Sequence, residues 1–267
     1  LETVNQLSKE LNIDTTLSLM LVNRGINSFD QAKAFFRPSL EMLHDPFLMK
    51  DMSLAVNRIL MAIENKESVM IFGDYDVDGT SSVALLSMYL KSKGCKIAPY
   101  FPDRNLEGYG ISIKAIDLAS QNNQKLIIAL DCGIKAHNQV NYALEKEINF
   151  IICDHHNPGE KLPNAFSILN PKQNGCEYPF KELCGCTVGL KLIQSYVNNF
   201  DLKLDFSPYY QLAAVASAAD VVPLASTVQS KSSLASCDQH TENPRSKFSL
   251  VGAKETLQEV PNVNGPA

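Results

Sequence analysis

The stretch SVMIFGDYDVDGTSSVALL, at residues 68–86, joins an apolar run to a helical pattern through a short acidic loop. Ser68–Phe72 is typical of a buried strand, and Thr80–Gly94 is typical of a helix that ends at a glycine. The loop between them carries three aspartates at alternate positions, Asp74, Asp76 and Asp78. Carboxylates this close repel one another unless a cation or hydrogen-bond donors offset their charge. The stretch therefore predicts a strand–loop–helix unit that holds a cation, either in a calcium loop or in a catalytic metal site.

A calcium loop of the EF-hand type is disfavoured by the residues that surround these acids. Its pattern is D-x-D-x-D-G followed, at the twelfth position, by a glutamate that binds the ion through both oxygens. Residues 74–79 fit the first half, but the twelfth position is Leu85, and a strand rather than a helix enters the loop. The sequence also lacks a Walker phosphate loop. The acids are therefore interpreted as part of a catalytic metal site.

The alternation of strand and helix continues along the chain and predicts an α/β fold, with a mostly parallel sheet flanked by helices. Further strands are predicted at Lys96–Phe101, Lys125–Leu130 and Asn149–Cys153. Further helices are predicted at Ser112–Asn122, Lys135–Glu147, Gly185–Phe200 and Pro208–Ala219. Residues 1–65 are predicted to form a helical N-terminal cap, with a longer helix at Ser53–Asn65, before a catalytic domain at 66–224. Residues 225–267, rich in Ser, Asn, Gln and Pro, are predicted to be a poorly ordered tail.

The composition limits the partners that this chain can have. A net charge of −5 over 267 residues argues against broad electrostatic binding to nucleic acid or anionic membrane, but it leaves room for a local basic groove. The sequence contains no run of apolar residues long enough to span a membrane, and no signal peptide is visible at its start. We therefore expect a cytoplasmic protein without membrane contact.

The seven cysteines indicate reduced thiols rather than a disulfide framework, because their number is odd and their positions are scattered. They are Cys95, Cys132, Cys153, Cys176, Cys184, Cys186 and Cys237. A zinc knuckle of Cys176, Cys184 and Cys186 is an alternative, but the spacing matches no standard zinc pattern.

Acids also follow two other predicted strands. Asp131 comes after the third strand, and Asp154-His155-His156 comes after the fourth. Alone, Asp131 could cap a helix and the histidines could lie in a polar turn. Because the carboxyl ends of parallel strands meet at one edge of the sheet, we expect these groups to converge with Asp76 and Asp78, which would point the same way from an extended turn.

The expected ligand set combines carboxylates with imidazoles. Such a set favours Mn²⁺ or Mg²⁺ over calcium, and the histidines favour Mn²⁺. Two such ions suit in-line displacement at phosphorus, because one activates the attacking water and both stabilise charge on the phosphate. The residues therefore predict a two-metal phosphoesterase site.

The chain resembles the DHH phosphoesterase superfamily, named for a motif that stands here as Asp154-His155-His156, and within it the RecJ single-strand-specific exonucleases. The motifs that carry the resemblance are GDYDVDG (73–79), FPDRNLEGYG (101–110), ALDCGI (129–134), CDHH (153–156), LCGCTVGLKL (183–192) and ASAADVVPL (216–224). Their order and spacing extend the resemblance over roughly residues 1–224. The PDR…EGYG segment separates RecJ proteins from smaller DHH enzymes, such as pyrophosphatases and oligoribonucleases.

The resemblance implies a role for particular residues. The metal ligands would be Asp76, Asp78, Asp131, His155 and Asp220, with Asp131 bridging two ions and Asp74 as a ligand or hydrogen-bonding member of the same motif. Asp131, His155 and His156 would be catalytic, with His156 on the scissile phosphate and Asp154 orienting its neighbours. Substrate contacts would come from Arg104, Gly108, Gly110, Tyr109 and His156. Tyr109 would stack on a base, with a buried core tyrosine as the alternative.

The implied function is metal-dependent hydrolysis of single-stranded DNA from the 5′ end, in repair and recombination, with a helicase or single-strand-binding protein as a candidate partner. Two alternatives remain, a DHH phosphoesterase for oligonucleotides, cyclic dinucleotides or pyrophosphate, and a catalytically silent scaffold. Thr187 stands where the family pattern has glycine. The glycine-rich G-G-G-H motif of a second domain, and an OB-fold, are expected in a RecJ protein but do not occur after Leu224. We therefore expect a complete metal site with weakened substrate binding.

Overall fold

The computed structural model describes residues 1–200 and 202–223. Its centre is a five-stranded sheet in which every pair of neighbouring strands is parallel, with strand order β2-β1-β3-β4-β5. The strands are β1 (Ser68–Gly73), β2 (Lys96–Tyr100), β3 (Leu126–Leu130), β4 (Asn149–Cys153) and β5 (Ser167–Leu169). The predicted α/β fold with a parallel sheet is therefore confirmed. The short strand β5 was not predicted, because three residues are too few to show a periodic pattern.

Helices cover both faces of this sheet. They are α1 (Glu2–Leu11), α2 (Thr15–Val22), α3 (Phe29–Phe36), α4 (Met52–Glu64), α5 (Val77–Ser92), α6 (Ile113–Gln121), α7 (His137–Glu145), α8 (Gly185–Asn199) and α9 (Ser207–Ala219), with 3₁₀ turns at Leu40–Met42 and Pro46–Leu48. Within the described ranges, no helix is long and apolar enough to cross a bilayer.

Alternate residues of each central strand enter two different cores. In β1, Ile71 packs with α4, α5, α8 and α9, whereas Phe72 packs on the opposite face with α6 and α7. β3 behaves in the same way, with Ile128 on the first face and Ile127 on the second. Burial of both faces explains why these strands are continuous apolar runs rather than alternating ones.

The N-terminal helices α1–α3 have a small core of their own, made of Leu7, Leu21, Ile26 and Ala32. The domain boundaries placed at residues 65 and 224 stay predictions. The prediction of a poorly ordered tail at 225–267 falls on residues outside the described ranges.

The helix after β1 begins at Val77, three residues before the predicted start at Thr80. Asp76 is its N-cap, and the Asp76 Oδ1 accepts a hydrogen bond of 2.8 Å from the N–H of Gly79. The expectation that Asp76 and Asp78 share an extended turn was therefore wrong. Capping by an aspartate satisfies a free N–H of the first turn, and this favours the earlier start. Asp78 consequently projects from the helix itself.

Two glycines allow α5 to lie directly against the end of β1. A Cβ on Gly79 would lie 2.6 Å from the Asp74 nitrogen and also too close to the Asp74 carbonyl. A Cβ on Gly73 would lie 2.8 Å from the Gly79 carbonyl oxygen and would also collide with Val83. Because the obstacles include backbone, they cannot move aside cheaply, and this contact sets where Asp74, Asp76 and Asp78 lie.

We expect Gly79→Ala to lower the free energy of unfolding by about 2–3 kcal/mol, because the added methyl group overpacks a backbone contact. Alanine's helix propensity, about 1 kcal/mol better than that of glycine, acts in the opposite direction. Urea denaturation would measure the change. The control is Gly159→Ala, where the added Cβ would meet its nearest atom, the Lys161 carbonyl oxygen, at an ordinary 3.6 Å. Equal stabilities of the two variants would contradict the role of this contact.

Candidate metal centre

Carboxylates and imidazoles from four elements meet at the carboxyl edge of the sheet. The His155 Nε2 lies 3.1 Å from the Asp131 Oδ1, 3.7 Å from the Asp220 Oδ2 and 3.8 Å from the Asp78 Oδ2. Two groups of three ligand atoms, each group within 4.8 Å, result: Asp131 with His155 and His156, and Asp78 with His155 and Asp220. The structure thus gathers four other predicted site residues, Asp78, Asp131, His156 and Asp220, around His155.

Asp131 follows β3 in a left-handed conformation, with φ of 61°. Its N–H donates to the Cys153 carbonyl, so the turn is continuous with the β3–β4 ladder. Gly185, the first residue of α8, lies so close that a Cβ there would be 2.6 Å from the Asp131 Cβ. The Asp131 side chain is therefore confined between the sheet edge and the start of α8.

The two central ligand atoms are buried without hydrogen bonds. The Asp131 Oδ1 and the His155 Nε2 lack a hydrogen-bond partner among the described residues, although they are 3.1 Å apart. Buried polar atoms are nearly always bonded, and an unmet one costs the free energy of its desolvation. Their surroundings are instead suited to a shared cation, which would coordinate both atoms.

Burial and mutual repulsion raise the pKa of several carboxyl groups at this edge. For Asp131 the pKa rises because of burial first and then because of the negative charges of Asp78 and Asp76. Burial also raises the pKa of Asp220, and Asp78 adds to the rise while His155 opposes it. For Asp74 burial again dominates, with Asp76 adding to it against the Tyr75 N–H, which favours the charged form. A bound cation would reverse this destabilisation of the carboxylates.

Asp78 caps a helix that is distant in sequence. Its Oδ2 accepts a 2.6 Å hydrogen bond from the Gly185 N–H, and its Oδ1 accepts a 2.8 Å bond from the Cys186 N–H. The N-cap residue of α8, Cys184, provides no side-chain cap of its own. Asp78 therefore satisfies two of the free N–H groups of α8, and each of its oxygens keeps a lone pair that could bind a metal.

Asp154 accepts four hydrogen bonds, three of which come from the histidine pair. Its Oδ1 accepts from the N–H of His155 at 2.7 Å, from the N–H of His156 at 3.1 Å and from the His156 Nδ1 at 2.7 Å. Its Oδ2 accepts from the Ile134 N–H at 2.9 Å. Burial alone would raise the pKa of Asp154, but these bonds, led by that of the His156 ring, lower it. The same ring bond raises the pKa of His156.

Two predicted ligands lie outside both groups. Asp76 is exposed and uses its Oδ1 to cap α5. Asp74 is buried, and its Oδ1 accepts a 2.8 Å bond from the N–H of Tyr75. Each keeps a second oxygen, so their roles as ligands stay predictions.

Apart from His156, the predicted substrate contacts lie in the segment of residues 101–112, here called the substrate loop, which joins β2 to α6. The Arg104 guanidinium lies over the Tyr75 ring at 5.1 Å, and the Tyr109 ring meets the His156 ring edge-on at 6.5 Å. Tyr109 is 64% exposed, so the alternative of a buried core tyrosine was wrong. Gly108 has φ of 80° and open space at its Cβ position, so the turn requires glycine for its conformation rather than for a contact.

Sequence reasoning missed the contacts that Glu107 and Thr187 make near the site. Glu107 accepts four hydrogen bonds within the substrate loop and its flanks. The Thr187 Oγ1 lies 3.2 Å from the Cys184 Sγ and 3.4 Å from the Ser217 Oγ, so Thr187 joins the first turn of α8 to α9. No local pattern indicates contacts of this kind, since Tyr100 and Ser217 lie on elements other than those of Glu107 and Thr187.

The zinc alternative finds no support in the described part of the chain, where neither metal-ligand group contains a cysteine. The six described cysteines are free, in agreement with the expectation of reduced thiols. Cys237 lies outside the described ranges.

Comparison with known proteins identifies relatives of this chain. The family model described as DHH family, N-terminal domain, matches residues 68–219. The single-stranded-DNA-specific exonuclease RecJ of Bacillus subtilis is 38% identical over 221 residues, 83% of this chain and 28% of the relative. The Escherichia coli RecJ is 33% identical over 181 residues, 64% of this chain and 31% of the relative. The chain thus spans less than a third of the length of either relative.

Solved structures show the same likeness. A crystal structure of exonuclease RecJ bound to manganese matches with a TM-score of 0.63 and 28% identity, over 71% of this chain and 47% of the other. RecJ from Thermus thermophilus, in complex with Mn²⁺, matches with a TM-score of 0.68 and 24% identity over 84% of this chain and 31% of the other, a likeness of fold.

We expect Asp154→Asn to lower the pKa of His156, because the amide replaces the charged acceptor that holds the imidazolium. It should also lower the free energy of unfolding by about 1.5–3 kcal/mol, since a hydrogen bond to a charged group is lost. NMR titration of the imidazole protons and urea denaturation would measure the two effects. As a control, Asp30→Asn changes an exposed aspartate of α3. A His156 pKa that does not move would rule out this role of Asp154.

Proposed function

Because the chain belongs to the DHH family, we propose that it is the catalytic domain of a metal-dependent phosphodiesterase that hydrolyses single-stranded DNA from the 5′ end. The observation that carries the proposal is the pair of buried, unbonded ligand atoms, the Asp131 Oδ1 and the His155 Nε2, among carboxylates at the sheet edge. The similarity to RecJ exonucleases supports the choice of substrate. By the same similarity we place the reaction in DNA repair and recombination, beside a helicase or single-strand-binding protein.

The residues present fit Mn²⁺ or Mg²⁺. Hard carboxylate oxygens suit both ions, and the imidazoles favour Mn²⁺. We propose Asp78, Asp131, His155 and Asp220 as the principal ligands, with Asp74 and Asp76 completing the set through their remaining oxygens. By the resemblance to RecJ exonucleases, Asp131 would be a ligand shared by two ions, and its Oδ1 lies 3.1 Å from the Nε2 of His155, the residue common to both ligand groups. When bound, such ions supply an activated water and stabilise charge on the phosphate.

His156 is suited to hold the reacting phosphate. Its Nδ1 is bonded to Asp154, which raises the pKa of the ring and favours the imidazolium. The Nε2–H is then free to donate to a phosphate oxygen, and the half-exposed side chain makes that donor accessible. Asp154 stays a hydrogen-bond acceptor and fixes the direction of this donor.

The substrate loop supplies groups of the kind that bind a single strand. Arg104 is exposed and would bind a backbone phosphate, while Tyr109 offers an exposed ring on which a base can stack. Gly108 and Gly110, both with φ of 80°, would let the strand approach the backbone. These groups favour a site that binds a nucleic-acid strand over a site that holds only pyrophosphate.

We expect the chain to degrade end-labelled single-stranded DNA in Mn²⁺ and to leave duplex DNA largely intact. Asp131→Ala should reduce the rate by more than about 100-fold, the upper end of the effect of substitutions that only support a metal ligand. Asp30→Ala, an exposed aspartate of α3, is the matched control. Cleavage of pyrophosphate or cyclic dinucleotides in place of DNA would overturn the substrate assignment. Binding of Mn²⁺ without any cleavage would favour the silent-scaffold alternative.

Mn²⁺ affinity should increase as the pH rises through neutrality, and binding should release protons. The pKa of Asp131 is raised in the free protein, so the cation must displace a proton that is held more tightly at lower pH. Titration calorimetry in two buffers of different ionisation enthalpy would measure the proton release. Asp131→Asn should reduce it, and equal proton release by this variant and the parent protein would contradict the assignment.

A further inference from the structure

Within the central part of the substrate loop, residues 103–109, every residue except Glu107 is exposed. Leu106, for example, is 80% exposed, and Arg104 and Tyr109 are exposed as well. The side chain of Glu107, between them, is only 6% exposed. An acidic residue turned inward in an exposed loop is unusual, because carboxylates are seldom buried unless they are paired.

Glu107 is bonded to both ends of the loop and to the elements that flank it. Its Oε2 accepts from the Tyr100 hydroxyl at 2.7 Å and from the Ser112 hydroxyl at 2.5 Å. Its Oε1 accepts from the Asp103 N–H at 3.2 Å and from the Lys114 Nζ at 3.3 Å. Tyr100 is the last residue of β2 and Ser112 is the N-cap of α6. One carboxylate therefore connects a strand end, a loop and a helix start.

These bonds keep the carboxylate charged. Burial alone would raise the pKa of Glu107, but the bonds from Ser112, Tyr100, Asp103 and Lys114 outweigh it and lower the pKa to about 2. Hydrogen bonds to an ionised acceptor are stronger than those between neutral groups. Replacement of Glu107 by glutamine, a neutral amide of the same shape, would therefore weaken all four hydrogen bonds. The amide NH2 group would also face two of the present donors, from which it cannot accept a hydrogen bond.

The far side of the loop faces the metal centre. Arg104 lies over Tyr75, which follows Asp74, and Tyr109 meets His156. The first contact is a cation–π interaction, with the Arg104 guanidinium 5.1 Å from the centre of the Tyr75 ring. The second is an edge-on pair of the Tyr109 and His156 rings at 6.5 Å, and both loop residues are exposed. Neither contact holds the loop as firmly as hydrogen bonds do. The position of Arg104 and Tyr109 beside the centre therefore depends on an anchor elsewhere in the loop.

We propose that Glu107 is that anchor: a positioning residue whose carboxylate holds the substrate loop against β2 and α6, so that Arg104 and Tyr109 stand ready to take a single strand. The role of the loop in binding DNA rests on the proposed function. The anchoring itself does not, and the two can be tested separately.

Mobility of the loop gives the test that is independent of activity. The chain contains no tryptophan, so Leu106→Trp places a single fluorescent reporter on the exposed part of the loop. We expect Glu107→Gln in this background to lower the fluorescence anisotropy of the reporter. Glu145→Gln, the same change at an exposed position of α7, should leave it unchanged. Equal anisotropy in both variants would overturn the proposal.

A less disruptive variant controls for the possibility that Glu107→Gln simply unfolds the protein. Tyr100→Phe removes one donor to Glu107 and keeps the ring that stacks on Phe72 at 5.6 Å. It should lower the anisotropy in the same direction by a smaller amount. Combined with Glu107→Gln it should add less than its own effect, because both changes break the same bond. Full additivity would count against a shared anchor.

Steady-state kinetics then distinguish a positioning role of Glu107 from a general structural role. With single-stranded oligonucleotide, Glu107→Gln should raise KM by about tenfold, whereas kcat with bis(p-nitrophenyl) phosphate should change by less than about twofold. Mn²⁺ affinity should be unchanged. An equal loss with both substrates would overturn positioning in favour of a structural role. Absence of DNA cleavage by the parent protein would refute the proposed function, and the anisotropy would still decide whether Glu107 anchors the loop.

Discussion

The contact between Asp78 and the start of α8 is the constraint on which the candidate site depends. Asp78 leaves the first turn of α5 and accepts hydrogen bonds from the Gly185 and Cys186 N–H groups, so it joins two helices at the edge of the sheet. The absence of a side chain at Gly185 lets the same turn of α8 press against Asp131. The carboxylates of Asp78, on α5, and of Asp131, after β3, are thus held together by one packing arrangement.

Bringing these carboxylates together is electrostatically unfavourable in the absence of a cation. Asp74, Asp131 and Asp220 all have raised pKa values, caused first by burial, and neighbouring carboxylates add to the rise at each of them. A fold that kept these groups only for its own stability would gain from replacing them with apolar residues. Binding of divalent cations gives a physical reason for such a cluster, and the carboxylate–imidazole composition of the cluster is what Mn²⁺ and Mg²⁺ favour.

Some side chains at this edge present free ligand atoms, and others hold their neighbours in place by hydrogen bonds. Asp131 and His155 present unbonded atoms to the centre, whereas Asp154 uses its oxygens on N–H groups and on the His156 ring. The substrate loop repeats the same division, with exposed Arg104 and Tyr109 supported by the inward-facing Glu107. In both places a buried acceptor with several donors fixes the orientation of a more accessible neighbour.

Local sequence patterns were enough to predict the parallel α/β fold and the edge at which the acids meet. Apolar runs and helix patterns are local properties, and the topology of parallel strands brings their carboxyl ends together. The sequence also indicated Asp131 and the histidine pair as neighbours. Four features became visible in the folded chain alone: Asp76 caps α5, Asp78 caps α8, β5 joins the sheet, and Glu107 accepts from four donors. Most of these depend on partners that are distant in the chain or on a choice between equivalent local conformations, and short-range propensity cannot distinguish them until the core has packed.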